Sequence, residues 1–483
     1  MLTNYKKFLI LLTAMASIVS CKKYLEVKPT GEFLLSNYYS NQAQALTGVI
    51  ACYNVLPYNY YNYLLALNSG SDDCYTGGGN SGDQSAMQAF NNYTLLNSSS
   101  GTADIFWNSL YNGVSNANTI IKALPAVPAL TADTLNRYMG EAKFWRAYYY
   151  FDLVRLFKNI PLIVTPLTTT DAYDQVQVAP TAVYAQIEAD LTAAIPGLPP
   201  TVSAIENGRV TQGAARALLG KVYLYEQKWT LAAAQLALVN GTPGGTSQYG
   251  YHLLANYADI FALNNKYSSE SIFEVGESNA VSSFSNSYTQ YIGPRGSTVP
   301  FWYTGGYGFN PITLDLVNLM KNDPRYPYTI INMDSTAKAT NTSYSPSYEN
   351  TGYFTRKYAP IASQLTTFGW ANNFIIIRLA DTYLMEAEAL VQGGGNSARA
   401  QALLDAVRAR VSLPSVPATL ANIYTERRLE LAQEGNRWFD LVRTGQAATV
   451  LASKGFKAGV NEILPIPVHD LNNTKLKQNP GYN

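Results

Sequence analysis

Between Arg137 and Lys158 the large side chains keep a helical step: Tyr138, Ala142, Trp145, Tyr149, Leu153 and Leu156 stand three or four residues apart. That spacing lines one face of an α-helix, so the stretch is predicted helical. It stops before Pro161, whose ring cannot continue the ladder. Thr181 to Ile195 reads as a second helix, closed near Pro196-Gly197. Thr211 is a suitable N-cap for a third, which runs through Ala214, Ala215, Leu218, Leu219, Val222 and Tyr223.

The third helix carries a repeat signal. Leu219-Gly220, with Tyr223 three residues after the glycine, matches the L-G-x-x-Y part of the tetratricopeptide pattern. Ala232 and Ala233 follow where a second, closely packed helix needs small residues. Phe374 to Val391 and Ser397 to Val411 are read as another helical hairpin, broken at Gly393-Gly394-Gly395. Each such pair needs a neighbour to bury its outer face, so these are divergent hairpins of one stacked frame. Residues of about 240–370 lie between them, rich in Gly, Asn, Ser, Tyr and Pro with little helical period. Long irregular stretches in a helical protein are usually functional. The expected fold is mostly α, a helical scaffold displaying aromatic loops.

Charge narrows the partners. The chain has 34 Lys+Arg against 33 Asp+Glu, a formal charge of +1. A protein that neutralises many phosphates carries a basic excess, so nucleic acid is disfavoured. Charged residues make up only 14%, while Tyr supplies 37 residues. Such rings stack on flat apolar faces, and their hydroxyls offer hydrogen bonds to neutral polar ligands.

The N-terminus has the form of an export signal. Lys6 and Lys7 precede an apolar stretch from Phe8 to Ala16, and Ile18-Val19-Ser20-Cys21 resembles a bacterial lipobox. Residues 1–20 are expected to be a lipoprotein signal peptide, and 21–36 a lipidated N-terminus and tether, with the anchor on Cys21. The apolar stretch is too short for a spanning helix. Several acyl chains hold a protein on a bilayer durably where one does not. The remaining cysteines, Cys52 and Cys74, could pair or stay as free buried thiols.

Catalytic motifs are weak. A glycosidase needs two carboxylates across a sugar, one of them kept protonated. Glu430 and Glu434 sit in a charge-rich helical stretch and are expected to pair with arginines. Asp72-Asp73, with Tyr75, lies in a Gly-rich loop that suits hydroxyl recognition or a Ca²⁺ ion as well as acid chemistry. His252 and His469 are far apart in sequence, and Gly77-Gly78-Gly79 lacks the Lys-Ser/Thr of a phosphate loop. The chain is read as no enzyme and as needing no cofactor, with a glycoside hydrolase as the distant alternative.

Sugar recognition needs ring platforms edged with polar groups. Phe301-Trp302-Tyr303 with Tyr307 is the leading cluster, Asp72, Asp73 and Tyr75 the second, and Trp370 the third.

The C-terminal third is more specific. It carries Phe374-Ile375-Ile376-Ile377-Arg378-Leu379-Ala380-Asp381-Thr382-Tyr383-Leu384-Met385-Glu386-Ala387-Glu388-Ala389 and then Glu426-Arg427-Arg428-Leu429-Glu430-Leu431-Ala432-Gln433-Glu434-Gly435-Asn436-Arg437-Trp438-Phe439-Asp440-Leu441-Val442-Arg443. Leu464-Pro465-Ile466-Pro467 and Gln478-Asn479-Pro480-Gly481-Tyr482 close the chain. This ordered set resembles the SusD/RagB family of outer-membrane nutrient-binding lipoproteins. Glu141-Ala142-Lys143-Phe144-Trp145-Arg146-Ala147 and the lipobox fit the same family.

The resemblance implies four tetratricopeptide-like units, mainly within 37–240 and 371–450 of a domain covering 37–483. They would support a variable ligand-binding region at about 240–370. It implies a lipid anchor in the outer membrane facing the cell exterior, although Lys22-Lys23 is not the acidic cluster associated with surface export. It implies a SusC-like TonB-dependent barrel as partner, with glycans as cargo or, as the alternative, peptides or other nutrients. The family fixes no ligand-binding position by motif. In physical terms the Glu426–Arg443 stretch is expected to be a packing and salt-bridge network, with Glu434, Arg437 and Asp440 at successive three-residue steps.

Overall fold

A computed structural model describes residues 38–93, 97, 99, 101, 103–128, 130–367, 369–472 and 474–482. The expected signal peptide, Cys21 and the tether to residue 36 lie outside the described residues.

The principal helices are α1 (Gln42–Tyr53), α2 (Val55–Gly70), α3 (Asp104–Ala123), α4 (Ala132–Phe157), α5 (Pro180–Ala194), α6 (Gln212–Tyr225), α7 (Trp229–Asn240), α8 (Leu379–Gln392), α9 (Ser397–Ala409), α10 (Leu420–Glu430) and α11 (Arg437–Arg443). They pack as a relay. Helix α3 lies between α1 and α4, α4 meets α5, α5 meets α6, and α6, α7, α8 and α9 follow in turn. Each helix thus buries two faces, which is how stacked hairpins build one continuous core. Tyr149, Trp145, Leu219, Leu384 and Trp438 all belong to that core.

Local chemistry explains the boundaries. Thr131 caps α4 by accepting the Thr134 N–H at 3.2 Å, so the helix begins five residues before the first of the periodic stretch that starts at Arg137. Thr211 caps α6 as expected, accepting the Ala214 N–H at 3.2 Å. Gly220 is where α6 and α7 come closest: a Cβ there would stand 2.6 Å from Leu236 Cγ.

One expected helix is a strand at its start. Phe374–Arg378 forms β6, antiparallel to β3 (Ser271–Val275), and α8 begins only at Leu379. A short apolar run with consecutive isoleucines fits either state by pattern, and pairing with β3 decides it. The other pairs are short: β1 (Ile160–Pro161) with β2 (Gln177–Val178), and β4 (Ile330–Asn332) with β5 (Tyr353–Thr355). No described helix is long and apolar enough to cross a membrane. Cys52 and Cys74 are free, buried thiols.

Residues 241–373 join the frame in part through apolar side chains, with Phe273, Tyr288, Phe309 and Tyr358 in the main core. They hold small clusters of their own, one around Ile312, Leu316 and Met320 and another around Val299, Trp302, Met333 and Phe354. A dehydrated ionic seam fastens them further. Arg325 reaches Glu426 at 2.6 Å and Glu430 at 2.8 Å. Arg378 reaches Glu430 at 2.6 Å and Glu434 at 2.8 Å, and Lys357 reaches Glu434 at 2.7 Å. Arg410 joins Glu270 at 2.5 Å and also pairs with Glu430. Burial opposes ionisation of Glu430, but the guanidiniums of Arg410, Arg378 and Arg325 outweigh it and hold the carboxyl well below its usual range.

The seam corrects one expectation of geometry. Glu434, Arg437 and Asp440 do not share one helix: α10 ends at Glu430 and a turn with Gln433 at φ 69° and Gly435 at φ 75° precedes α11. The partners of Glu434 therefore come from distant segments. The Asp440–Arg443 step does pair, at 2.8 Å.

Candidate functional site

The irregular segments meet at one place. Gly77 and Gly78 have φ of 75° and 83°, and a Cβ on Gly77 would stand 2.4 Å from the Gly308 carbonyl. Only glycine allows that approach. The Gly78 N–H donates to Gly308 O at 3.0 Å, and the Tyr348 N–H donates to Gly78 O at 2.9 Å. The loop after α2, the segment 290–310 and the segment 343–349 are thereby stitched together. Two clusters read separately from sequence, around Tyr75 and around Tyr307, turn out to be neighbours.

On this platform the rings form a string. Tyr61 and Tyr291 have centroids 5.2 Å apart, and Tyr291 meets Tyr307 edge-on at 5.2 Å and 88°. Tyr307 is 41% exposed and Tyr348 39%. Burial, then the neighbouring Tyr61 and Tyr307, push the Tyr291 hydroxyl up to about 12, so it stays protonated and able to donate. Arg295 donates through Nη1 to the Tyr307 carbonyl at 3.2 Å, and Asp83 accepts the Gly79 N–H at 2.8 Å. One cation and one carboxylate leave the platform without a strong net field. Tyr61, Tyr291, Tyr348, Arg295 and Asp83 were not singled out from sequence. A lone Tyr or Arg in a loop carries no pattern, and only the fold brings these together.

Phe301, in the same irregular region, combines exposure with a strained backbone. Its ring is 79% exposed and its φ is 76°. A bulky residue in the left-handed region is strained, and such strain concentrates at functional sites. The backbone is held there because its carbonyl accepts the Ala362 N–H at 2.7 Å.

Other expected contacts serve as supports. Trp302 is 9% exposed and sits in the cluster with Val299, Met333 and Phe354. Trp370 is 2% exposed and meets the half-buried Tyr303 edge-on at 4.9 Å, its indole N–H donating to Ile361 O at 3.4 Å. Neither indole offers a face to solvent, which corrects the expectation that they are platforms. Tyr75 is half-buried with the Lys454 ammonium 5.4 Å from its ring centre.

Asp72 and Asp73 are corrected in the same way. Arg437 grips both oxygens of Asp72, at 2.7 and 2.9 Å, while Arg428 takes Asp73 at 2.9 Å and Asp72 at 2.9 Å. With two guanidiniums already in place, these carboxylates do not suit a Ca²⁺ ion or a sugar hydroxyl. Glu430 and Glu434, paired as expected, are sealed inside the seam. Among the described residues no group of three or more His, Cys, Asp or Glu side chains is placed to hold a metal ion.

Comparison with known proteins agrees with this architecture. Residues 269–482 match the model of the SusD family, and residues 23–224 match a model described as starch-binding associating with outer membrane. A solved laminarin binding SusD-like protein is 46% identical, covers 92% of this chain and 100% of its own, and superposes with a TM-score of 0.88. Surface glycan-binding protein A from Bacteroides thetaiotaomicron, solved in complex with laminarihexaose, is 26% identical over 91% of this chain and 100% of its own, with a TM-score of 0.81. A SusD-like protein of Formosa agariphila is 24% identical, covering 94% of each chain.

Proposed function

Because the chain belongs to the SusD family, we propose that it captures neutral glycan chains of the laminarin type and passes them to a SusC-like TonB-dependent barrel in the outer membrane. Lipid on Cys21 would hold it at the cell surface, with the platform acting as the landing point for cargo. The protein binds and releases; it does not cut.

The observation that carries this reading is the Tyr61–Tyr291–Tyr307 string with Tyr307 exposed, and Tyr348 exposed on the segment stitched to Gly78, in a chain 46% identical to a laminarin binding relative. Sugar rings present flat C–H faces to aromatic rings and hydroxyls to their edges. Burying one such ring contributes of order 1.5–3 kcal/mol. A few rings with some hydrogen bonds give micromolar to millimolar capture. Weak capture suits a protein that must let its cargo go.

Calorimetry with laminarihexaose, maltohexaose and a peptide digest tests the cargo. Laminarihexaose is expected to bind, and Tyr307→Ala to weaken it about tenfold. Binding of the peptides alone, or binding indifferent to Tyr307 and Phe301, would sink the glycan reading. Incubation with laminarin is expected to leave its reducing ends unchanged, and new ends lost on changing one carboxylate would establish a hydrolase. Cys21→Ala is expected to free the protein from the membrane fraction, and the wild type to co-purify with a barrel.

A further inference from the structure

Helix α3 carries a second place with the chemistry of sugar recognition, lined by none of the platform's residues. Trp107 and Tyr111 lie one turn apart on α3, ring centres 4.8 Å apart. They help line a cavity of about 290 Å³ closed by the segment 161–175 and by Asp470 and Leu476 near the C-terminus. The aromatic wall is fixed: the Tyr111 hydroxyl donates to Pro161 O at 2.9 Å, and Trp107 meets Phe157 edge-on at 4.9 Å. A pre-set wall costs little ordering on binding.

Part of the polar lining, on its solvent-facing side, is open. Asn108, Asn112, Ser115 and Thr165 line this cavity, and their side chains make no hydrogen bond to a described residue. Amides both donate and accept, as do hydroxyls, so the set matches vicinal sugar hydroxyls in either sense. Asp470 adds one carboxylate, with the Trp107 indole N–H beside it.

A cavity of about 560 Å³ between α1 and β3 makes the contrast. Its charged groups and phenol are taken: Arg209 by Glu141 and Glu206, Tyr53 by Glu141, and Glu274 by Asn373. Among the described residues only the Asn54 and Asn207 amides are left open there.

We propose that the α3 cavity is a second carbohydrate site, taking the end or a short stretch of a neutral oligosaccharide with its ring against Tyr111 and its hydroxyls on Asn108, Asn112 and Ser115. At about 290 Å³ it stands at the lower edge of small-ligand sites, so it suits a short stretch and not a long run. A chain engaged on the platform and again on the frame would be retained longer than one held once. The choice of sugar as ligand follows the reading of the platform, but the cavity is tested separately.

The chain has six tryptophans, so indole resonances read both places at once. Trp107 reports the frame cavity; Trp302 and Trp370 report the irregular region around Phe301 and Tyr303. Full-length protein is titrated with laminarihexaose, cellohexaose and maltohexaose to about 10 mM, the weak end of specific recognition. Trp107 is expected to shift with at least one of them. Ser115→Arg, at an exposed position, fills the cavity without entering the core and should weaken that response about tenfold while Trp302 and Trp370 respond as before. Tyr307→Ala should do the reverse. A Trp107 signal silent with all three sugars, or one indifferent to Ser115→Arg, overturns the frame site whatever the platform does. A moving Trp107 beside silent Trp302 and Trp370 keeps the frame site and removes the platform reading instead.

Discussion

The ionic seam and the ring platform are opposites built from one chain. In the seam, Arg325, Arg378, Arg410 and Lys357 meet Glu270, Glu426, Glu430 and Glu434 with almost no exposure. On the platform, rings stand half-wet around a single Arg295 and Asp83, with Phe301 in a strained backbone state. The most recognisable stretch of the sequence, Glu426 to Arg443, supplies the seam's Glu426, Glu430 and Glu434 and further buried ion pairs. What identifies this protein by pattern is therefore its buried ion pairs, while the platform rings are brought together only by the fold.

Substitutions can break that contrast. The largest effect is expected for Glu430→Ala, which leaves three buried guanidiniums facing one another. Removing one partner of a buried pair costs about 3–5 kcal/mol, and here more than one pair is lost, so thermal melts should show a steep fall in Tm or no cooperative unfolding. Trp302→Ala should come next, at about 3–5 kcal/mol from the cavity it leaves, while Phe301→Ala should stay within about 0.5 kcal/mol. Equal costs for the two would erase the distinction between support and contact. Tyr307→Ala is expected to lose about tenfold in laminarihexaose affinity with an unchanged melt, which calorimetry beside a thermal scan will check.

Acidity separates the regions further. Glu277, in the loop region, is buried with no guanidinium beside it, and burial pushes its carboxyl up to about 9, with Lys266 only partly opposing. Its contribution is present below the ordinary carboxylate range and is lost as pH rises towards 9, because the unfolded chain ionises first. Glu430 has the other sign: its contribution is present above the ordinary range and is lost as acid protonates it. Glu277→Gln should therefore stabilise the protein at pH 8 relative to pH 5, on the order of 2 kcal/mol by melts at the two pH values. A smaller gain is expected for Phe301→Gly, which relieves a left-handed backbone by about 1 kcal/mol while weakening cargo binding. A loss of stability there would mean that the exposed ring is itself a structural contact.

Much of the frame was legible because helices write their faces into spacing. The Tyr138–Leu156 face, the Thr211 cap and the Gly220 approach all follow from local rules. Phe374–Arg378 was misread because an apolar run has no period to tell strand from helix, and its partner β3 lies a hundred residues away. The platform was half legible: Phe301 and Tyr307 stood out as ring-rich loop residues. Trp302 and Trp370 have the same composition but the opposite burial, which depends on which way a turn directs each side chain. Asp72 and Asp73 looked free because Arg428 and Arg437 are distant in sequence.

That distance has a consequence for assembly. Asp72 is joined to Arg437 across 365 positions and Asp73 to Arg428 across 355. Until nearly the whole polypeptide has been made, the loop after α2 carries two carboxylates with no counter-charge to enclose them. Contacts of such long reach slow the search for the native state. The loop after α2 therefore reaches its final charge balance only once the last helices are in place.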